Sequence, residues 1–341
     1  MRRFRLPGTW KVRVGYFLLS IFILFTVIGP WVAPYDPSYT GFTPDLSPSS
    51  QHLLGTTLLG QDVMSQLLVG CRETLVVSFV AGVIAVVISI IVGLTAGYVG
   101  GKTDEVLSLF IAVFLTLPGL VLLIVIISLF PQGQQANPLV IGSVVALTGW
   151  AWGAKVLRAQ TLSLRNRDFV EASRIIGERR WRTIFAEIGP NLLPVLASSL
   201  VGTVLYAVSV STVLAFLGLT PITTWNWGTM LYWAFANNAA LAGEWWWLAG
   251  PCLAIALVGT SLALINFGID EYINPRLRVG NLSNRERKRA GLSRRPKLGF
   301  TPVHRVTPVI GAPVMAGAQT GPEVLATEAT ASTPAPREDH P

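Results

Sequence analysis

Six apolar runs, each about as long as a bilayer is thick, constrain this chain more than any other feature. A hydrocarbon core of about 30 Å takes roughly 20 helical residues at about 1.5 Å per residue. The runs lie near Val14–Val32, Leu75–Tyr98, Val106–Phe130, Leu139–Leu157, Leu192–Leu217 and Trp246–Phe267. Apolar runs of this length predict helices, so the expected fold class is an all-α integral membrane protein with six transmembrane helices. Charged residues make up only 13% of the chain, against about 25% in soluble domains. A signal peptide is the rival reading of the first run. Its length and the poor cleavage site at Gly29-Pro30-Trp31 favour an uncleaved helix.

The net charge of +8 suggests nucleic acid at first sight, but the cations cluster in loops and tails beside the apolar runs. That distribution sets topology, because Lys and Arg stay on the cytoplasmic side. Six spans place the N-terminus, the Lys155–Glu187 loop and the basic tail after Asp270 all in the cytoplasm. A seventh span at Gly228–Gly243 would reverse the tail, so it is not expected. The chain then divides into an N-terminus and first helix (1–33), an external segment (34–73), a five-helix core (74–280) carrying a cytoplasmic loop at 155–190, and a cytoplasmic tail (281–341). From about Gly299 the tail is rich in Pro, Ala, Thr, Gly and Glu without period, a composition that predicts disorder. Trp225, Trp227, Trp233 and Trp245 to Trp247 fall at the outer interface, where indole rings anchor well.

Catalytic chemistry finds no support. Gly101-Lys102-Thr103 ends like a phosphate-binding loop, but Ala96 stands where the pattern needs glycine. His52, His304 and His340 lie in separate segments without a nucleophile and acid. Cys71 and Cys252 have no metal-ligand spacing, and no metal site is expected. The spans carry no ionisable residue well away from their ends, where ion-coupled carriers bind their coupling ion. The driving energy is therefore expected to enter from outside the membrane helices.

The Lys155–Glu187 loop offers the route. Asp168 is placed to cap a helix starting near Phe169, and Val170, Glu171, Ala172 and Ser173 come next. Gly177 then ends or bends that helix. Trp181, Ile184, Phe185 and Ile188 resume an apolar face at helical spacing, and Asn191 and Pro194 mark re-entry into the membrane. Small residues in the helix would let another surface approach closely. Pro118-Gly119 in the third span predicts a kink.

This ordering resembles the EAA loop of importer-type ABC permeases. The resemblance extends over roughly residues 10–280, to the second (C-type) permease of the dipeptide/oligopeptide/nickel importer family. It is carried by His52-Leu53-Leu54-Gly55-Thr56, Leu59-Gly60-Gln61-Asp62-Val63 with Ser65, Gly97-Tyr98-Val99-Gly100-Gly101 with Asp104, Phe216-Leu217-Gly218-Leu219 with Trp227-Gly228, and Asn274-Pro275-Arg276-Leu277. Departures are Gln61 and Gln66 where the family has arginines, Thr57 for an acidic residue, Ser173 for the second Ala, and Glu187 and Gly189 where a His and a Leu are usual.

The resemblance implies an importer-type permease fold and a subunit forming half of a path for peptides or a similar small solute. It implies a second homologous permease, ABC ATPase subunits that carry ATP and Mg2+, and an extracytoplasmic solute-binding protein. This chain itself would bind no cofactor and no nucleic acid. Asp168, Val170, Glu171, Ala172, Ser173, Gly177, Asn191 and Pro194 would form the ATPase-coupling loop. Gly55, Thr56, Gly60, Asp62, Ser65, Trp225 and Trp227 would meet the binding protein. The expected location is the cell membrane with both termini cytoplasmic. An autonomous ion-coupled carrier or channel is the alternative, and a membrane scaffold a third.

Overall fold

The computed structural model describes residues 10–131, 134 and 137–273. The tail and the closing Asn274 to Leu277 sequence lie outside the described residues, as do the first nine residues. Five helices are long and apolar enough to cross a membrane: α1 (Trp10–Val32), α2 (Val63–Val99), α5 (Pro138–Leu164), α9 (Leu193–Phe216) and α12 (Trp245–Ile273). A bent pair, α3 (Gly101–Thr116) and α4 (Gly119–Ser128), is long and apolar enough when taken together to make up to six, and its axes meet at 89°. This is far more than the expected kink. Pro118 has no N–H to donate and forces the residue before it out of the helical region. Leu117 accordingly sits at φ −67°, ψ 137°.

The second span begins at Val63 instead of near Leu75. Asp62 caps it by accepting the Ser65 N–H, and the first turns bury Val63, Ser65, Gln66 and Leu68. At about 1.5 Å per residue this 37-residue helix is about 55 Å long, well beyond a core of about 30 Å. Arg72 and Glu73, now inside a helix, therefore need not enter hydrocarbon.

α2 is the central element and packs most extensively on α5. Small residues make the approach close. A Cβ on Gly93 would stand 2.6 Å from the Ala154 carbonyl, and one on Gly97 2.8 Å from the Arg158 carbonyl. Ser89 adds a bond from its hydroxyl to the Trp150 carbonyl at 2.6 Å. Such small-residue seams are how helices associate where apolar burial gives no preference for protein over lipid. α1 packs on α2 and α12, and α9 fills the space between α2, α5 and α12.

Between α9 and α12 lie α10 (Trp227–Ala236) and α11 (Ala239–Ala242). Asn226 and Thr229 close a reciprocal capping box at the start of α10. Ten residues give about 15 Å of helix, too short for a further span. Between α5 and α9 lie α6 (Asp168–Ile175), α7 (Arg180–Arg182), a π-helical turn (Thr183–Ile188) and α8 (Gly189–Asn191).

Candidate functional site

The α5–α9 loop is built around α6. Asp168 and Glu171 both occupy its first turn, where free amides and the helix dipole favour negative charge. Asp168 is not the cap. Arg167 takes that position with extended backbone, so the helix starts one residue early and Asp168 acts through its charge. The end of α6 is more sharply defined. Gly177 adopts φ +81°, its N–H donates to the Arg174 carbonyl at 3.0 Å, and the Glu178 N–H donates to the Ser173 carbonyl at 3.1 Å. This pair of bonds is a Schellman closure. A side chain in the left-handed region costs about 1–2 kcal/mol. A Cβ on Gly177 would meet nothing within 4 Å, so that cost is conformational alone.

One face of α6 is anchored. Val170, 0% exposed, packs with Leu94, Leu157, Ile184, Ile188 and Leu192. The loop is thereby fastened to the ends of α2 and α5 and to the entry of α9. Arg174 lies over the Tyr98 ring, 5.1 Å from its centre, and its Nε donates to the Tyr98 hydroxyl at 3.4 Å. Above this anchorage, Arg158 makes a two-bond ion pair with Asp104, Nη2 to Oδ2 at 2.7 Å, joining α5 to α3.

The other face is free. Glu171 and Ala172 are exposed, and Ile175 and Ile176 are each 80% exposed. Ser173, expected among the small residues that admit a partner, points inward, and its hydroxyl donates to the Phe169 carbonyl at 3.1 Å. Three residues after Val170, it shares the buried side of the helix. The expected single apolar face after Gly177 also divides. Ile184 and Ile188 are buried, whereas Trp181 and Phe185 are exposed and stack on each other at 5.9 Å. Pro194 sits in the first turn of α9, where its missing N–H is tolerated. The Asn191 amide donates to the Glu187 carbonyl at 2.7 Å.

At the other end of α2, the Pro34–Asp62 segment folds back on itself. Asp62 is its hub, 1% exposed. One oxygen accepts the Ser65 N–H at 2.8 Å and the Ser65 hydroxyl at 2.6 Å; the other lies 2.8 Å from His52 Nδ1. Thr56 donates its hydroxyl to the Thr43 carbonyl at 2.8 Å and accepts the Leu46 N–H at 2.9 Å. Gly55 and Gly60 both adopt left-handed backbone. Gly55, Thr56, Gly60, Asp62 and Ser65, expected to meet the binding protein, are all buried in this chain and hold the segment together. Trp227 is buried too, its indole N–H donating to the Leu67 carbonyl at 3.3 Å. Trp225 is half-buried and donates to Ser38 Oγ at 2.9 Å. Exposed apolar side chains here include Leu53, Leu58 and Leu59, with Tyr39 and Leu46.

Two further pairings have no local signal in the sequence. Gln66 Nε2 donates to Gln61 Oε1 at 2.8 Å and to the Pro37 carbonyl at 3.3 Å, while Gln66 Oε1 is buried without a partner among the described residues. Glu244, just before α12, is 2% exposed and lies beside Asp45. Burial and the neighbouring Asp45 carboxylate push its pKa up to about 7. Among the described residues no three His, Cys, Asp or Glu side chains converge as a metal site would require.

Over residues 85–279 the chain matches the family described as binding-protein-dependent transport system inner membrane component. It is 32% identical over 281 residues to the dipeptide transport system permease protein DppC of Bacillus subtilis (strain 168), covering 80% of this chain and 84% of that one. The oligopeptide transport system permease protein OppC of the same organism is 30% identical, with 82% and 89% covered. The nickel transport system permease protein NikC of Escherichia coli (strain K12) is 28% identical, with 80% and 97% covered.

Proposed function

The chain belongs to the family of binding-protein-dependent transport system inner membrane components and is a permease subunit of an ATP-driven importer; on that premise we propose that α6 is the helix through which a partner ATPase drives it. The observation that carries this is the division of α6 into an anchored face and a free one. Val170 and Arg174 tie it to the ends of α2 and α5, while Glu171, Ala172, Ile175 and Ile176 face outward. Two adjacent isoleucines kept in water are unfavourable unless a partner covers them, since burying one contributes about 1.5–3 kcal/mol.

The cycle is a consequence of that anchorage. Closure of the ATPase dimer around ATP and Mg2+ pushes α6, and the Val170 cluster transmits the displacement to α2, α5 and α9 together. Packed helices do not deform continuously, so the path rocks between two arrangements as rigid bodies. The Gly177 turn lets α6 end abruptly and stand clear of α7. A second homologous permease completes the path. The cations of the α5–α9 loop place it in the cytoplasm under the positive-inside rule, with the Pro34–Asp62 segment outside. A solute-binding protein there meets the exposed rim of Leu53, Leu58 and Leu59 with Trp225, held from behind by the buried Asp62 network. The solute is a peptide or another small molecule of the kind the relatives' names record.

Gly177→Asp, and separately Glu171→Lys with Ala172→Asp, should abolish uptake by the reconstituted transporter while the subunit still inserts in the membrane. Normal uptake in both would remove α6 from the mechanism.

A further inference from the structure

Beside α6, and distinct from its free face, is an open polar cavity of about 550 Å³. Tyr98 and Val99 from the end of α2 line it, with Arg165 from the end of α5, Arg174 and Glu178 from α6 and its closing turn, and Arg180 from α7. Three guanidinium groups therefore face a single carboxylate, and that carboxylate lies 3.4 Å from Arg182 outside the cavity lining. Their donors are largely unused. Arg165 makes one long bond to the Gly97 carbonyl at 3.5 Å, Arg174 one to Tyr98, and Arg180 has no side-chain hydrogen bond or ion pair among the described residues.

Guanidinium forks match the paired oxygens of a phosphate and bind them with charge-assisted bonds. The cavity opens where two membrane-spanning helices, α2 and α5, end. Basic pockets between spanning helices on the cytoplasmic side suit anionic headgroups. We propose that it binds the phosphate of an anionic phospholipid, with Arg165, Arg174 and Arg180 as ligands and the exposed Val99 beside the first acyl carbons. A bound lipid would brace α6 against α2 and α5 at the point where Arg174 already crosses to Tyr98. Lipid binding here is independent of whether α6 docks an ATPase.

The test uses the full chain purified in detergent, with binding of phosphatidylglycerol measured by native mass spectrometry against phosphatidylcholine. Wild type should retain phosphatidylglycerol selectively. Arg165→Gln with Arg174→Gln should weaken it about a hundredfold or more, as expected for losing two charge-assisted bonds. Arg180→Gln, which removes a side chain with no hydrogen bond or ion pair among the described residues, should weaken it about tenfold or more on the same basis. Arg179→Gln, an exposed arginine of the same loop outside the cavity lining, should change it less than twofold. Ile175→Ser with Ile176→Ser, exposed and outside the cavity lining, should leave it unchanged, which separates this site from the coupling role of α6.

Equal retention by wild type and the double arginine variant would overturn the proposal, as would equal loss in Arg179→Gln. Displacement of the lipid by millimolar inorganic phosphate would make the cavity a site for free phosphate instead. If the double arginine variant keeps its lipid but loses a co-purifying ATPase, the cavity receives an acidic side chain of that partner, and the lipid is not its ligand.

Discussion

The two ends of α2 solve opposite problems. At its start, the Pro34–Asp62 segment satisfies its polar groups internally, through Asp62, His52, Ser65 and Thr56. At its finish, the α5–α9 loop leaves Ile175, Ile176, Trp181 and Phe185 in the open and three arginines around one cavity. The first buries its polar network within the chain, and the second leaves its cations and apolar side chains uncovered. A polar side chain in the first end therefore acts on stability, whereas an exposed one in the second acts on association. Substitutions at the two ends should separate along that line.

The largest effect on stability is expected at Asp62→Ala. It leaves two Ser65 donors and His52 without their buried acceptor, and losing one side of such a pair costs about 3–5 kcal/mol. Thermal unfolding of the purified subunit, followed by tryptophan fluorescence, would check it. Next comes Val170→Ala, which removes two buried methyl-sized groups and should cost about 1–2 kcal/mol. It should also loosen the link between α6 and the spans, so ATPase activity in the assembled transporter should persist with reduced uptake. Ile175→Ser with Ile176→Ser should change stability by less than about 0.5 kcal/mol, as exposed positions do, yet lower the amount of ATPase that co-purifies.

A further effect on stability is a pH dependence confined to the first end. The Glu244 carboxyl titrates at about 7 in the folded chain against an ordinary value near 4.5, so folding favours its neutral form. The stability this gives is full below about pH 4.5, declines as the pH rises towards 7 and is absent above that. Glu244→Gln should flatten the melting temperature across that window and raise it above wild type at alkaline pH. An unchanged slope would mean that Asp45 and burial do not hold the proton there.

The spans were legible in the sequence because lipid leaves hydropathy and length little freedom, and the α6–Gly177–Asn191–Pro194 order was legible because caps and breakers act locally. The start of α2 was not. Ser65, Gln66, Arg72 and Glu73 interrupt its hydropathy, and the first two are held by bonds to Tyr35, Asp62 and Gln61 in the preceding segment and cap. The 89° bend comes from Pro118, but its size depends on what α4 packs against, Leu123 and Ile127 being buried in a cluster with α5 and α9 residues. Asp62 and Ser65 are placed at the outer contact through the family resemblance, and the sequence does not show that His52 closes on Asp62. Glu244 and Asp45 meet solely through tertiary structure, and no spacing in the chain announces them.

The most direct test places a photoreactive cross-linking residue at Ile176 and, in a second protein, at Leu53, both exposed, in the transporter assembled with its ATPase and binding protein. Docking through α6 predicts that Ile176 cross-links to the ATPase and Leu53 does not. No ATPase adduct at Ile176 would contradict the coupling role of α6, and an ATPase adduct at Leu53 would contradict the assignment of the two ends of α2 to opposite sides of the membrane.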